Sequence, residues 1–225
     1  MLVKTRLDCI ESIRKPSFLV GSVVVIPKEL YETADALGQK LAGLLQKNDL
    51  KIVFAESCTA GLASAILGQN SGISNWLCGS AVTYRVPIKE EWLQIDPGLI
   101  KRFSAVSAEV TIEMARAVLF KTRDADFSIA VTGHLESGES EKGTFVNISV
   151  GFRKSEIDIH ATNKQFLLVE TSRCQRQWEA AAFAFKTAIG HLEKLSETPD
   201  ARNSEPEFPK SRLPKSEPNM DSEVM

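Results

Sequence analysis

The chain has 225 residues, of which 43% are hydrophobic and 25% charged, with a formal net charge of −2. That length and balance fit one globular domain with appendages, large enough to bury a core without staples. They argue against a nucleic-acid partner, since no basic stripe exists, and against a membrane partner, since no apolar run reaches a span.

Four cysteines (Cys9, Cys58, Cys78, Cys174) are scattered, with no C-x-x-C pair and no Cys/His cluster of zinc spacing. They read as free thiols in a reducing compartment, so a cytoplasmic protein with no metal site is expected. Near the N-terminus, Lys4, Arg6, Arg14 and Lys15 precede the apolar run Phe18 to Ile26. Asp8 and Glu11 interrupt the basic region, and Pro27-Lys28-Glu29 follows with no small-residue cleavage site, which does not fit a signal peptide. Residues 1–28 are therefore assigned to an N-terminal extension, with Leu19 to Ile26 an extra strand or an arm.

From Glu29 to Asn48, Leu30, Ala34, Leu37, Leu41, Leu44 and Leu45 form one helical stripe. A buried strand follows over Leu50 to Ala55, then a polar turn, then a helix to about Gly68. Gln69-Asn70-Ser71-Gly72 is a loop. Trp76 to Tyr84 reads as a second strand. Pro87 sits in the first turn of a helix over Val86 to Leu93, which Asp96-Pro97-Gly98 is expected to break. Ser107 is an N-cap for a helix to about Thr122. Asp126 to Thr132 is a third strand. A loop rich in Gly, Ser and Glu then leads to a fourth strand, Gly143 to Phe152. Ile157 to Val169 pairs with it as a fifth, antiparallel strand. Thr171 or Ser172 caps a long helix through Leu195. Beyond Ser196 five prolines (Pro199, Pro206, Pro209, Pro214, Pro218) fall among Ser, Glu, Lys and Asn, the composition of a disordered tail. The domain is thus 29–195, and its pattern predicts a three-layer α/β/α fold with a mixed, partly parallel sheet.

The chain is organised around Lys51-Ile52-Val53-Phe54-Ala55-Glu56-Ser57-Cys58-Thr59-Ala60-Gly61-Leu62. An apolar strand ends in small polar residues and a helix begins. The N–H groups of a helix N-terminus suit an anion or a developing oxyanion, and a hydroxyl there could attack a carbonyl. Serine and threonine at such a turn, here Ser57 and Thr59, are most often simple N-caps. The stretch lacks the Gly-Lys-Ser/Thr of a P-loop and the flanking glycines of a G-x-S-x-G elbow. Two further strand ends carry polar groups: Thr83-Tyr84, with Lys89 five residues after the tyrosine, and Thr132-Gly133-His134. A serine needs a base, and a lysine whose burial depresses its pKa can serve, with a tyrosine as relay. Tyr84 as core packing and Lys89 on a solvated face are the plainer readings.

Four blocks in order carry a resemblance: Glu56-Ser57-Cys58-Thr59-Ala60-Gly61, Val82-Thr83-Tyr84 with Lys89, Ala105-Val106-Ser107, and Ile129-Ala130-Val131-Thr132-Gly133. Over about residues 29–195 the chain resembles the C-terminal domain of the competence/damage-inducible protein CinA, a family that includes the stand-alone PncC enzymes. The resemblance implies hydrolysis of the carboxamide of nicotinamide mononucleotide to nicotinic acid mononucleotide and ammonia. It implies Ser57 as nucleophile, with Tyr84 and Lys89 as its activating pair. Thr59, Thr132 and Gly133 would lie on the substrate side, and Arg173, or else Arg176, would meet the phosphate. No cofactor is implied, and a homodimer or higher homo-oligomer is.

The chain departs from the family pattern around the site. The family's G-I-A-G-P-x-G-G loop is here Gly133-His134-Leu135-Glu136-Ser137-Gly138-Glu139-Ser140-Glu141-Lys142-Gly143, whose three glutamates would repel a phosphate if they faced it. Arg85-Val86-Pro87-Ile88 replaces Ser-Asn-Glu-Ala, and Val169-Glu170-Thr171-Ser172 replaces Phe-Ser-Gly-Asp. The molybdopterin-binding-like domain of longer members is not expected here. Three alternatives stay open: Cys58 as nucleophile, an amidohydrolase for another carboxamide, and a catalytically degraded protein that binds a nucleotide or a partner.

Overall fold

The computed structural model describes residues 26–136 and 143–197, the side chains of 195–197 excepted. The expectations for an N-terminal strand or arm, for most of the acidic loop and for the tail lie outside these residues.

Five strands form one sheet in the order β2-β1-β3-β4-β5. They are β1 (Ile52–Glu56), β2 (Leu77–Val82), β3 (Phe127–His134), β4 (Phe145–Arg153) and β5 (Ile159–Leu167). β1 runs parallel to both of its neighbours, while β3–β4 and β4–β5 are antiparallel. Every residue of β1 is buried, as its unbroken apolar run requires of a central strand covered on both faces. The mixed three-layer fold read from the sequence is the one observed.

On one face lie α1 (Lys28–Asn48), α2 (Leu62–Leu67) and α6 (Arg173–Glu197). Leu41, Leu45, Ile66, Phe185 and Leu192 from these helices pack on Phe54, Ile129 and Ile148 of the sheet. The other face carries α3 (Val86–Leu93), α4 (Pro97–Phe103) and α5 (Ala108–Lys121). There Leu93, Ile100, Val110, Met114 and Leu119 cover Val53, Ala55 and Ala130. The alternation of strand side chains assigns each residue to one of these two cores.

Local chemistry sets the helix ends. Ser107 caps α5, its Oγ accepting from the Val110 N–H at 3.2 Å, and the Ser172 Oγ accepts from the Gln175 N–H at 3.2 Å as α6 begins. Asp96-Pro97-Gly98 departs from expectation. It does not end α3, which stops at Leu93 with Gln94 in a left-handed backbone (φ 60°), its N–H donating to Lys89 O; instead it starts α4, where the Asp96 carboxylate accepts from the Gly98 N–H at 3.0 Å and Pro97 fills the first turn. The expected helix breaker is thus a helix start.

The C-terminal ends of β1, β2, β3 and β5 and the N-terminal end of β4 all fall on one edge of the sheet. In open α/β sheets, ligand sites gather at this edge.

Candidate active site

β1 delivers the Ser57 turn to this edge. The Ser57 N–H donates to Val131 O at 2.9 Å, and the Thr83 N–H donates to Glu56 O at 2.8 Å. Three strand ends are thereby fixed side by side. The turn runs through Ala60 (φ 53°) and Gly61 (φ 94°) before α2 starts, and a left-handed backbone at Gly61 is cheap only without a Cβ.

Lys89, on α3, is 1% exposed and reaches inward. Its Nζ donates to Ser57 Oγ at 2.8 Å and also to the backbone carbonyl of Thr83. Burial lowers its pKa from the ordinary 10.5 to about 8. A lysine so placed can change protonation state near neutral pH and exchange a proton with the serine hydroxyl. The reading of Lys89 as a solvated surface residue is excluded by its burial. Cys58 is also buried, and its pKa is pushed up to about 12, chiefly by desolvation. A thiol held neutral in this way is a poor nucleophile.

Glu56 is the residue that sequence reasoning missed. Wholly buried, its carboxylate accepts from the N–H groups of Gly61 (3.0 Å), Ala63 (3.1 Å) and Ser64 (2.9 Å) and from Ser80 Oγ (3.1 Å). It therefore fills the start of α2, where an oxyanion was expected. Neither Ser57 nor Thr59 caps that helix. The N–H groups left over at the turn are those of Cys58 and Thr59, which meet no backbone carbonyl or side-chain oxygen among the described residues. The signal for Glu56 was present: an acidic residue at the end of an apolar strand, just before a helix start.

Among the described residues Tyr84 makes no hydrogen bond to Ser57 or Lys89. It is half exposed, and its hydroxyl accepts from Arg173 Nη2. Arg173 Nη1 donates to Glu136 Oε1 at 2.8 Å. Tyr84, Arg173 and Glu136 thus form one hydrogen-bonded polar rim. Arg176 is spent elsewhere: its Nε donates to Glu170 O and its Nη1 to Leu135 O, each at 2.7 Å, which ties the segment after β3 to the segment after β5. Of the two arginines, Arg173 is the one on the rim. Gln177, also unnoticed in the sequence, donates to Cys58 O at 3.1 Å and holds the Ser57 turn from α6.

The remaining candidates lie beneath the surface. Thr132 is fully buried, its hydroxyl donating to Ala105 O at 3.3 Å, so it fixes the 104–107 loop. A Cβ on Gly133 would sit 2.2 Å from Phe145 O, so glycine there permits close contact between β3 and β4. Thr59 is 1% exposed, and its hydroxyl, like that of buried Thr83, has no hydrogen-bond partner among the described residues. His134 packs its ring edge-on to Phe145 at 5.2 Å. Among the described residues no cluster of His, Cys, Asp or Glu could hold a metal ion, and no helix is long and apolar enough to cross a membrane.

A buried serine–lysine pair at the carboxyl edge of a three-layer α/β sheet defines the class. Residues 34–191 match the family model for the CinA C-terminal domain, and the chain belongs to that family. A CinA-like protein of Chlorobium limicola is 30% identical over 171 residues, 74% of this chain and 39% of that protein. One from Fervidobacterium nodosum is 43% identical over 100 residues, 44% of this chain and 24% of that one. The chain thus spans well under half the length of these curated relatives. Among solved structures, the competence/damage-inducible protein CihA from Agrobacterium tumefaciens superposes with a TM-score of 0.65 at 23% identity, over 76% of this chain and 99% of that one. A CinA superfamily protein from Klebsiella pneumoniae gives 0.62 at 24%, over 72% and 98%. At these identities the structural likeness is one of fold.

Proposed function

We propose that this chain is an amidohydrolase that cleaves the carboxamide of a pyridinium nucleotide, nicotinamide mononucleotide being the expected substrate. The observation that carries the reading is the 2.8 Å contact between Ser57 Oγ and a buried Lys89 with a pKa of about 8. Neutral Lys89 takes the Ser57 proton as Oγ attacks the carboxamide carbon. The Cys58 and Thr59 N–H groups are the donors available to the oxyanion. The C–N bond then breaks, and the proton on Lys89 passes to the leaving nitrogen, which departs as ammonia. Water, deprotonated by the same lysine, cleaves the acyl ester, releasing the carboxylate and restoring Ser57. Tyr84 and Arg173 line the rim through which the nucleotide would enter, and Thr132 and Gly133 hold the floor in shape.

The test is ammonia release from nicotinamide mononucleotide by purified protein beside the Ser57→Ala variant. Release in the wild type that disappears in the variant supports both reaction and nucleophile. No release from folded protein, or equal release from both, removes the reading.

A further inference from the structure

The acidic loop puts one of its three glutamates on the arginine that a substrate phosphate would need. Arg173 and Glu136 have side chains 37% and 48% exposed, and their charged ends are 2.8 Å apart. The second guanidinium nitrogen faces the Tyr84 hydroxyl. The fork that could grip a phosphate is therefore held by a carboxylate and a phenol of the same chain. An incoming phosphate must displace Glu136 and then sit beside it, like charge against like. A pyridinium carboxamide without phosphate meets neither penalty, and its cationic ring is compatible with a rim whose arginine is already neutralised.

We infer that Glu136 is a specificity-determining residue: it occupies the anion seat on Arg173 and shifts the site from phosphorylated towards unphosphorylated pyridinium carboxamides. The choice of substrates rests on the proposed carboxamide chemistry, whereas the competition between Glu136 and an anion does not. A half-exposed ion pair is a modest competitor, so its removal should alter affinity by about fivefold rather than by orders of magnitude.

The experiment has two arms. In the first, inorganic phosphate is titrated by NMR into wild-type protein, Glu136→Gln, and the double variant Glu136→Gln/Arg173→Gln. Phosphate should bind about fivefold more tightly to Glu136→Gln than to wild type, and the double variant should lose that gain. In the second, kcat/KM is measured for nicotinamide mononucleotide and for the corresponding nucleoside. The mononucleotide-to-nucleoside ratio should rise about fivefold in Glu136→Gln. Unchanged phosphate affinity in Glu136→Gln, or a gain that survives in the double variant, overturns the inference whatever the activity. A phosphate gain without ammonia release from either substrate upholds the role of Glu136 and removes the carboxamide reading instead.

Discussion

Burying a lysine beside a serine leaves a signature in stability as well as in rate, and one pair of proteins reads both. In the folded chain Lys89 titrates near 8, whereas the unfolded chain restores the ordinary 10.5. Between those values the unfolded state holds a proton that the folded state has released. Stability therefore rises with pH across this window, by up to about 1.4 kcal/mol per pH unit. Below 8 both states are protonated and the full cost of the buried ammonium, about 3 kcal/mol, is present. Lys89→Met removes the titrating group while keeping an unbranched side chain of similar length. Urea unfolding of both proteins at pH 7.5 and 9.5 should show the wild type gaining about 2 kcal/mol more than the variant. The rate should follow the same proton. Only roughly a tenth of Lys89 is neutral at pH 7, so kcat/KM should climb towards a plateau above about pH 9, with a midpoint near 8. Parallel stability curves for the two proteins would refute the buried, depressed lysine, and with it the base assigned to Ser57.

Glu56→Ala leaves three N–H groups of the α2 start without their carboxylate, and it should lower unfolding free energy by about 3 kcal/mol and abolish turnover; denaturant titration checks the first and ammonia release the second. Cys58→Ala should retain turnover within about threefold, because a thiol titrating near 12 is not the nucleophile, and loss of activity with an intact fold would return that role to the cysteine. Gly133→Ala drives a Cβ into Phe145 O and should cost at least about 2 kcal/mol, read as a lowered thermal midpoint.

The sequence was most legible where one local pattern decides the outcome. The apolar run of β1, the stripe of α1 and the Ser107 cap each point to a single structure, and each element formed within a few residues of its expected bounds. Asp96-Pro97-Gly98 was ambiguous for a physical reason. A proline after an aspartate can stop a helix or start one; here the previous helix has already ended at the left-handed Gln94, so the pair starts a new one, whose Ile100 is buried in the second core.

The site divides along the same line. Ser57 and Lys89 are 32 residues apart, and no periodicity brings them together; sequence order nominated them, and parallel pairing of β1 with β2, followed by the inward turn of α3, joins them. The partner of Tyr84 could not be read from its place beside Thr83, because the chain leaves the sheet there: Thr83 stays buried while Tyr84 turns outward to Arg173, 89 residues away. Glu56 shows the converse. A buried carboxylate with no cation to pair with looks costly in a sequence, yet four hydrogen-bond donors converge on it and the positive end of α2 faces it. By satisfying the helix start internally, Glu56 fixes the turn that sets Ser57 against Lys89.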